Sequence, residues 1–126
     1  MEDILIKIDF DSEMPIYLQI YWQIVKMISD GILKQGSRLP SSRKLAIDLS
    51  VNYHTVNRAY DMLVERDFAH RNERKQTIIG QDNKNNGKFI SEWLKDERLL
   101  ISEAKATGFS SKSIIRLIER ILDQDK

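Results

Sequence analysis

The side chains best equipped for chemistry lie between residues 38 and 75, and their chemistry is recognition. Asn52, Tyr53, His54, Thr55, Asn57 and Arg58 bring carboxamide, phenol, imidazole, hydroxyl and guanidinium groups into one short run. A carboxamide such as that of Asn57 matches the paired acceptor and donor on the major-groove edge of adenine. Thr55 offers a hydroxyl to a base or phosphate and a methyl to thymine, and His54 suits a purine N7. Arg58 has the reach for a phosphate or a guanine. The net charge of +1 conceals where the cations are: residues 34–75 hold nine basic and five acidic side chains, against two and six in 1–33 and nine and eight in 76–126. An excess of that size also occurs on ordinary solvated surfaces.

Catalysis has no comparable support. The sequence shows no nucleophile–base pair, carboxylate dyad, glycine-rich phosphate loop or metal-ligand cluster. With no cysteine and two histidines, disulfides, thiolate zinc sites and iron–sulfur ligation are excluded. We therefore expect no enzyme, catalytic residue, metal or cofactor. No apolar run approaches the roughly 20 residues of a membrane span. The start, Met1-Glu2-Asp3-Ile4, lacks the basic and apolar regions of a secretion signal. These features lead to the expectation of a cytoplasmic protein with no membrane partner.

The elements that position these residues follow from periodicity. Ile4, Ile6, Ile8 and Phe10 alternate with polar neighbours, as in a short strand or extended arm packed on one face. Pro15 at a first helical position, then Ile16, Ile20, Ile24, Met27 and Ile28, predict an amphipathic helix that Gly31 ends. Ser41 is a good N-cap for a short helix carrying Leu45, Ala46 and Leu49 inward, and Asn52 for a third with Val56, Ala59, Tyr60 and Leu63 buried. The turn Ser50-Val51 between two short helices is the spacing of a helix-turn-helix. Phe68-Ala69-His70-Arg71 and Gln76-Thr77-Ile78-Ile79 flank Asn72-Glu73-Arg74-Lys75 as a small hairpin, the winged variant. Polar residues 81–87 read as a linker. Two helices follow: Lys88 to Ala106, stopped by Gly108, and one opening at Ser110 or Ser111 with a wide apolar arc. The expected fold class is mainly α, a winged helix-turn-helix of three helices plus a β-hairpin followed by two C-terminal helices, with domains at 1–80 and 88–126.

From Pro15 to about Gly80 the chain resembles the GntR family of regulators. The resemblance is carried by Pro15-Ile16-Tyr17-Leu18-Gln19-Ile20, Gly31-Ile32-Leu33, Gly36-Ser37-Arg38-Leu39-Pro40-Ser41-Ser42-Arg43-Lys44-Leu45-Ala46 and Val51-Asn52-Tyr53-His54-Thr55-Val56-Asn57-Arg58-Ala59-Tyr60. The short tail looks like the YtrA type, in which two helices serve dimerisation. Two positions depart from the family pattern: Asp67 replaces the usual glycine after the third helix, and the wing turn has no glycine. The resemblance implies a transcriptional regulator, in expectation a repressor, that binds double-stranded DNA. In this reading Arg43 lies at the DNA surface with Arg38, Ser41, Ser42 and Lys44 near the backbone. Asn52, Tyr53, His54, Thr55 and Asn57 face the groove, Arg58 reaches a phosphate or a guanine, and Arg71, Arg74 and Lys75 are wing contacts.

The tail helices expose more apolar surface than they can bury against each other. A homodimer through Phe89, Trp93, Ile114, Ile118 and Ile121 on a dyad-symmetric operator is the expectation. A small-molecule effector is left open, with no residues to name for it. The competing reading is a winged helix used as a protein–protein interaction module.

Overall fold

The computed structural model describes residues 4–80 and 87–124, the first four of the latter stretch by backbone alone. The linker positions 81–86 and the Phe89 side chain therefore lie outside the described residues. The elements are α1 (Ile16–Ser29), α2 (Ser42–Leu49), α3 (Tyr53–Glu65), β1 (Ala69–Arg71), β2 (Thr77–Ile79), α4 (Gly87–Ala106) and α5 (Ser111–Gln124). This is the mainly α winged helix-turn-helix with two C-terminal helices. The chain divides into two compact units, Met1–Lys84 and Asn85–Lys126.

In the first unit, α3 is the central element. Its inward stripe of Val56, Ala59, Tyr60 and Leu63 is fully buried and meets Ile20 and Ile24 of α1 and Leu45 and Ala46 of α2. Spacings of three and four place those residues on one face. The Ser41 hydroxyl caps α2 by accepting from the Lys44 amide at 3.1 Å, and the Asn52 carboxamide caps α3 by accepting from the His54 amide at 2.8 Å. Between the two helices Ser50 adopts a left-handed conformation (φ 57), which lets the Val51 amide turn back to the Ala46 carbonyl at 3.0 Å. The buried Tyr60 hydroxyl donates to the Pro40 carbonyl at 2.8 Å, fastening α3 to the approach to α2. Burial pushes that phenol well above its ordinary pKa, so it stays a donor.

The hairpin pairs Ala69 with Ile79 and Arg71 with Thr77. Residues 36–39 add a third, strand-like edge: Gly36 donates to Ile79, Ile79 to Ser37 and Leu39 to Thr77, all within 2.9 Å. Arg38 is thereby fixed at the base of the wing, opposite Ile78.

The N-terminal segment is an arm without ladder pairing. Two glutamines one turn apart on α1 hold its backbone. Gln23 exchanges two hydrogen bonds with Lys7, at 3.0 and 2.7 Å, and Gln19 does the same with Asp9, at 2.9 and 3.0 Å. Ile6 is buried and Ile4 and Ile8 are half-buried, as the alternation predicts, but Phe10 is exposed. Beyond Asp9 the chain turns, with Asp9 accepting from the Ser12 and Asp11 amides, and the alternation loses its face. Pro15 stands one place earlier than expected, at the N-cap of α1.

In the second unit α4 and α5 touch, yet no side chain of α5 is buried. Trp93, Leu94, Leu99, Leu100, Ile115, Leu117, Ile118, Ile121 and Leu122 are all exposed, whereas Ile114 is half-buried. Among the described residues no helix is long and apolar enough to cross a membrane.

Candidate nucleic-acid interface

Three parts of the first unit converge: the N-terminal end of α2, the outward face of α3 and the wing. Between them lies an open cleft of about 680 Å³. Nine of the residues singled out from the sequence line it: Arg38, Ser41, Ser42, His54, Asn57, Arg58, Arg71, Arg74 and Lys75. Arg43, Lys44, Asn52, Tyr53 and Thr55 are not among its lining residues. They sit around the adjoining starts of α2 and α3.

Those two helix starts are tied to each other. The Arg43 guanidinium lies over the Tyr53 ring, 4.7 Å from its centroid, and the His54 ring stacks on Tyr53 at 4.2 Å. Such a cation–π contact holds an arginine fork in place without consuming its donors. Deeper in the cleft the Ser42 hydroxyl donates to Asn57 Oδ1 across the two helices. The Asn57 amide group remains as donor, and its oxygen keeps a second lone pair, so the carboxamide can still present both functions to a base. Asn52 is more constrained, because its Oδ1 is used in capping α3. By helix geometry the first amides of α2, at Ser42 and Arg43, have no intrahelical acceptor, and such amides favour an anion.

Two cations of the cleft have partners within the protein. The Arg58 guanidinium stacks on the Tyr17 ring of α1 at 3.7 Å. Arg71 on β1 forms an ion pair with Asp61 on α3, Nη2 to Oδ1 at 2.7 Å. Arg74 and Lys75 stand exposed at the wing tip. The tip is built by Asn72, whose Oδ1 accepts from the Arg74 and Gln76 amides at 3.0 and 2.9 Å and whose carbonyl accepts from Lys75. The left-handed residue that a glycine would normally supply is Lys75 (φ 61), and after α3 it is Asp67 (φ 63).

Sequence reasoning missed Tyr17 and Asp61. Tyr17 stands in a motif block, with a ring that no helical stripe called for. Asp61 falls one turn after Asn57, on the face already assigned to recognition.

The cleft therefore gathers five cationic side chains around one carboxylate, beside a helix face of hydrogen-bonding groups. This is an arrangement suited to a phosphate backbone with base edges below it. Among the described residues no group of histidines and carboxylates could hold a metal ion.

Comparison with known proteins bears on the same residues. Residues 16–79 match the family model described as bacterial regulatory proteins, gntR family. Over 122 residues the chain is 34% identical to the HTH-type transcriptional repressor YtrA of Bacillus subtilis (strain 168), covering 93% of this chain and 92% of that one. The solved structure of YtrA from Sulfolobus acidocaldarius, a GntR-family transcription factor, is similar with a TM-score of 0.65 and 37% identity, over 94% of this chain and 97% of that one. At 18% identity and a TM-score of 0.54, 64% of this chain shares the fold of the whole AraR DNA-binding domain solved in complex with operator ORX1.

Proposed function

The chain belongs to the GntR family of DNA-binding transcriptional regulators, a family of non-enzymes, and from that premise we propose that it is a repressor that reads a dyad-symmetric operator as a homodimer. The observation that carries the reading is the cleft between α2, α3 and the wing, which gathers Arg38, Asn57, Arg58, Arg74 and Lys75. The start of α3 enters the major groove, where His54, Thr55 and Asn57 meet base edges and Arg43 reaches a base or a flanking phosphate. Arg38, Ser41, Ser42 and Lys44 contact the backbone around the start of α2, and Arg74 and Lys75 do so from the wing.

Residues 1–80 form the DNA-binding domain, and 88–126 the dimerisation tail. One winged helix covers one half-site, and useful specificity needs two. The exposed apolar side chains of α4 and α5 are surface that a second copy would bury, with Trp93, Ile118 and Ile121 central and the half-buried Ile114 beside them. The relative named a repressor supports that sign of regulation.

The test is selection of a random duplex library by gel shift across a salt series. A dyad-symmetric site is expected, with affinity falling steeply as salt rises. Alanine at Arg43 or Asn57 should lower operator affinity by roughly 10- to 100-fold, on the order of 1–3 kcal/mol per base contact. Absence of enrichment would favour the protein-interaction module instead.

A further inference from the structure

A carboxylate on a phosphate-binding face works against affinity, and Asp61 is such a carboxylate. It lines the same cleft as Arg38, Arg58, Arg74 and Lys75, one turn beyond Asn57 on α3. Stability does not account for it. The Asp61 side chain is 53% exposed and its partner Arg71 36%, and ion pairs so exposed add little to folding. The geometry has another consequence. Arg71 sits on β1 and Asp61 on α3, so their 2.7 Å contact fixes a wing guanidinium relative to the helix that carries the base-reading side chains. A guanidinium has five N–H donors and this contact uses one of them, leaving the rest for a ligand in the cleft.

We propose that Asp61 is a specificity-determining residue: it latches Arg71 so that the guanidinium serves only a phosphate in register with the bases read by α3. Unlatched, Arg71 pairs with phosphates in any register, which strengthens binding to random sequence more than binding to the operator, where the latched guanidinium already has its phosphate. Asp61 acts through Arg71 and touches no base itself.

The inference rests on the DNA-binding reading above, so its test begins with the full-length wild-type protein and the operator selected as described. D61N keeps the side-chain shape and removes the charge. Binding of D61N to a random duplex is expected to tighten roughly fivefold at about 0.15 M salt, with a salt slope steeper by about 0.9 per bound subunit, the change one added phosphate contact makes. Operator affinity should gain less, so the operator-to-random ratio falls. In an R71A background, D61N should lose both the added slope and the effect on the ratio, which a double-mutant cycle reads directly. A wild-type protein that selects no operator would sink the functional reading. Selection of an operator followed by an unmoved ratio, or a ratio that falls equally without Arg71, would overturn the latch alone. Matching thermal melts of D61N and wild type separate the effect from misfolding.

Discussion

Tyr17 belongs to α1, away from α3 in sequence, yet its ring underlies the Arg58 guanidinium at 3.7 Å. A cation held over a ring face loses less freedom when it meets a phosphate, a contribution of about 0.5–2 kcal/mol. Y17A is therefore expected to weaken operator binding by roughly 2- to 30-fold, while Y17F, which keeps the ring, stays near wild type in the same fluorescence-anisotropy titration. An equal loss in both would point to the hydroxyl instead. At this scale much was legible from residue type alone. Ser41 and Asn52 cap the helices they were assigned to, because a short acceptor side chain before an apolar stripe has one common use. The partners of Arg58 and Arg71 were not legible, since each pairs with a side chain from another element and such contacts leave no periodic trace.

Elements reveal a different division. The buried stripe of α3 was readable residue by residue, because a helix packed on one side must repeat near 3.6. The strand-like edge at 36–39 was not, as its bonds to β2 are made by backbone in a segment rich in turn formers. The arm shows both outcomes. Alternation located Ile6 correctly, while the glutamine pairing at Lys7 and Asp9 had no sequence signature. The wing turn carries a prediction of its own. Lys75 pays for its left-handed backbone (φ 61) with an unfavourable contact between Cβ and carbonyl. K75G should raise the stability of the first unit by up to about 1 kcal/mol in thermal melts, and at the same time flatten the salt slope of DNA binding by about 0.9 per subunit. A variant both more stable and less salt-sensitive would separate the conformational role of this position from its charge.

At the scale of the whole molecule, charge and apolar surface are apportioned between two units. The first holds the cationic cleft around a packed core. The second presents Trp93, Ile118, Ile121 and their neighbours to solvent. Burying one isoleucine side chain is worth roughly 1.5–3 kcal/mol, and a two-fold axis counts each substitution twice. I118D is accordingly expected to weaken self-association at least about 100-fold in sedimentation equilibrium and to reduce operator binding far more than random-duplex binding. A wild-type protein that sediments as a monomer at micromolar concentration would refute the homodimer. Helix α5, none of whose described side chains is more than half-buried within the chain, also bears on abundance. A helix of 14 residues that only touches one neighbouring helix is marginal in water, so in the proposed homodimer the fold of this segment is governed by mass action. The amount of regulator made would then decide how much of it has a formed tail, and a cell diluting the protein by growth would lose operator occupancy as free regulator separates into copies whose tails are unformed.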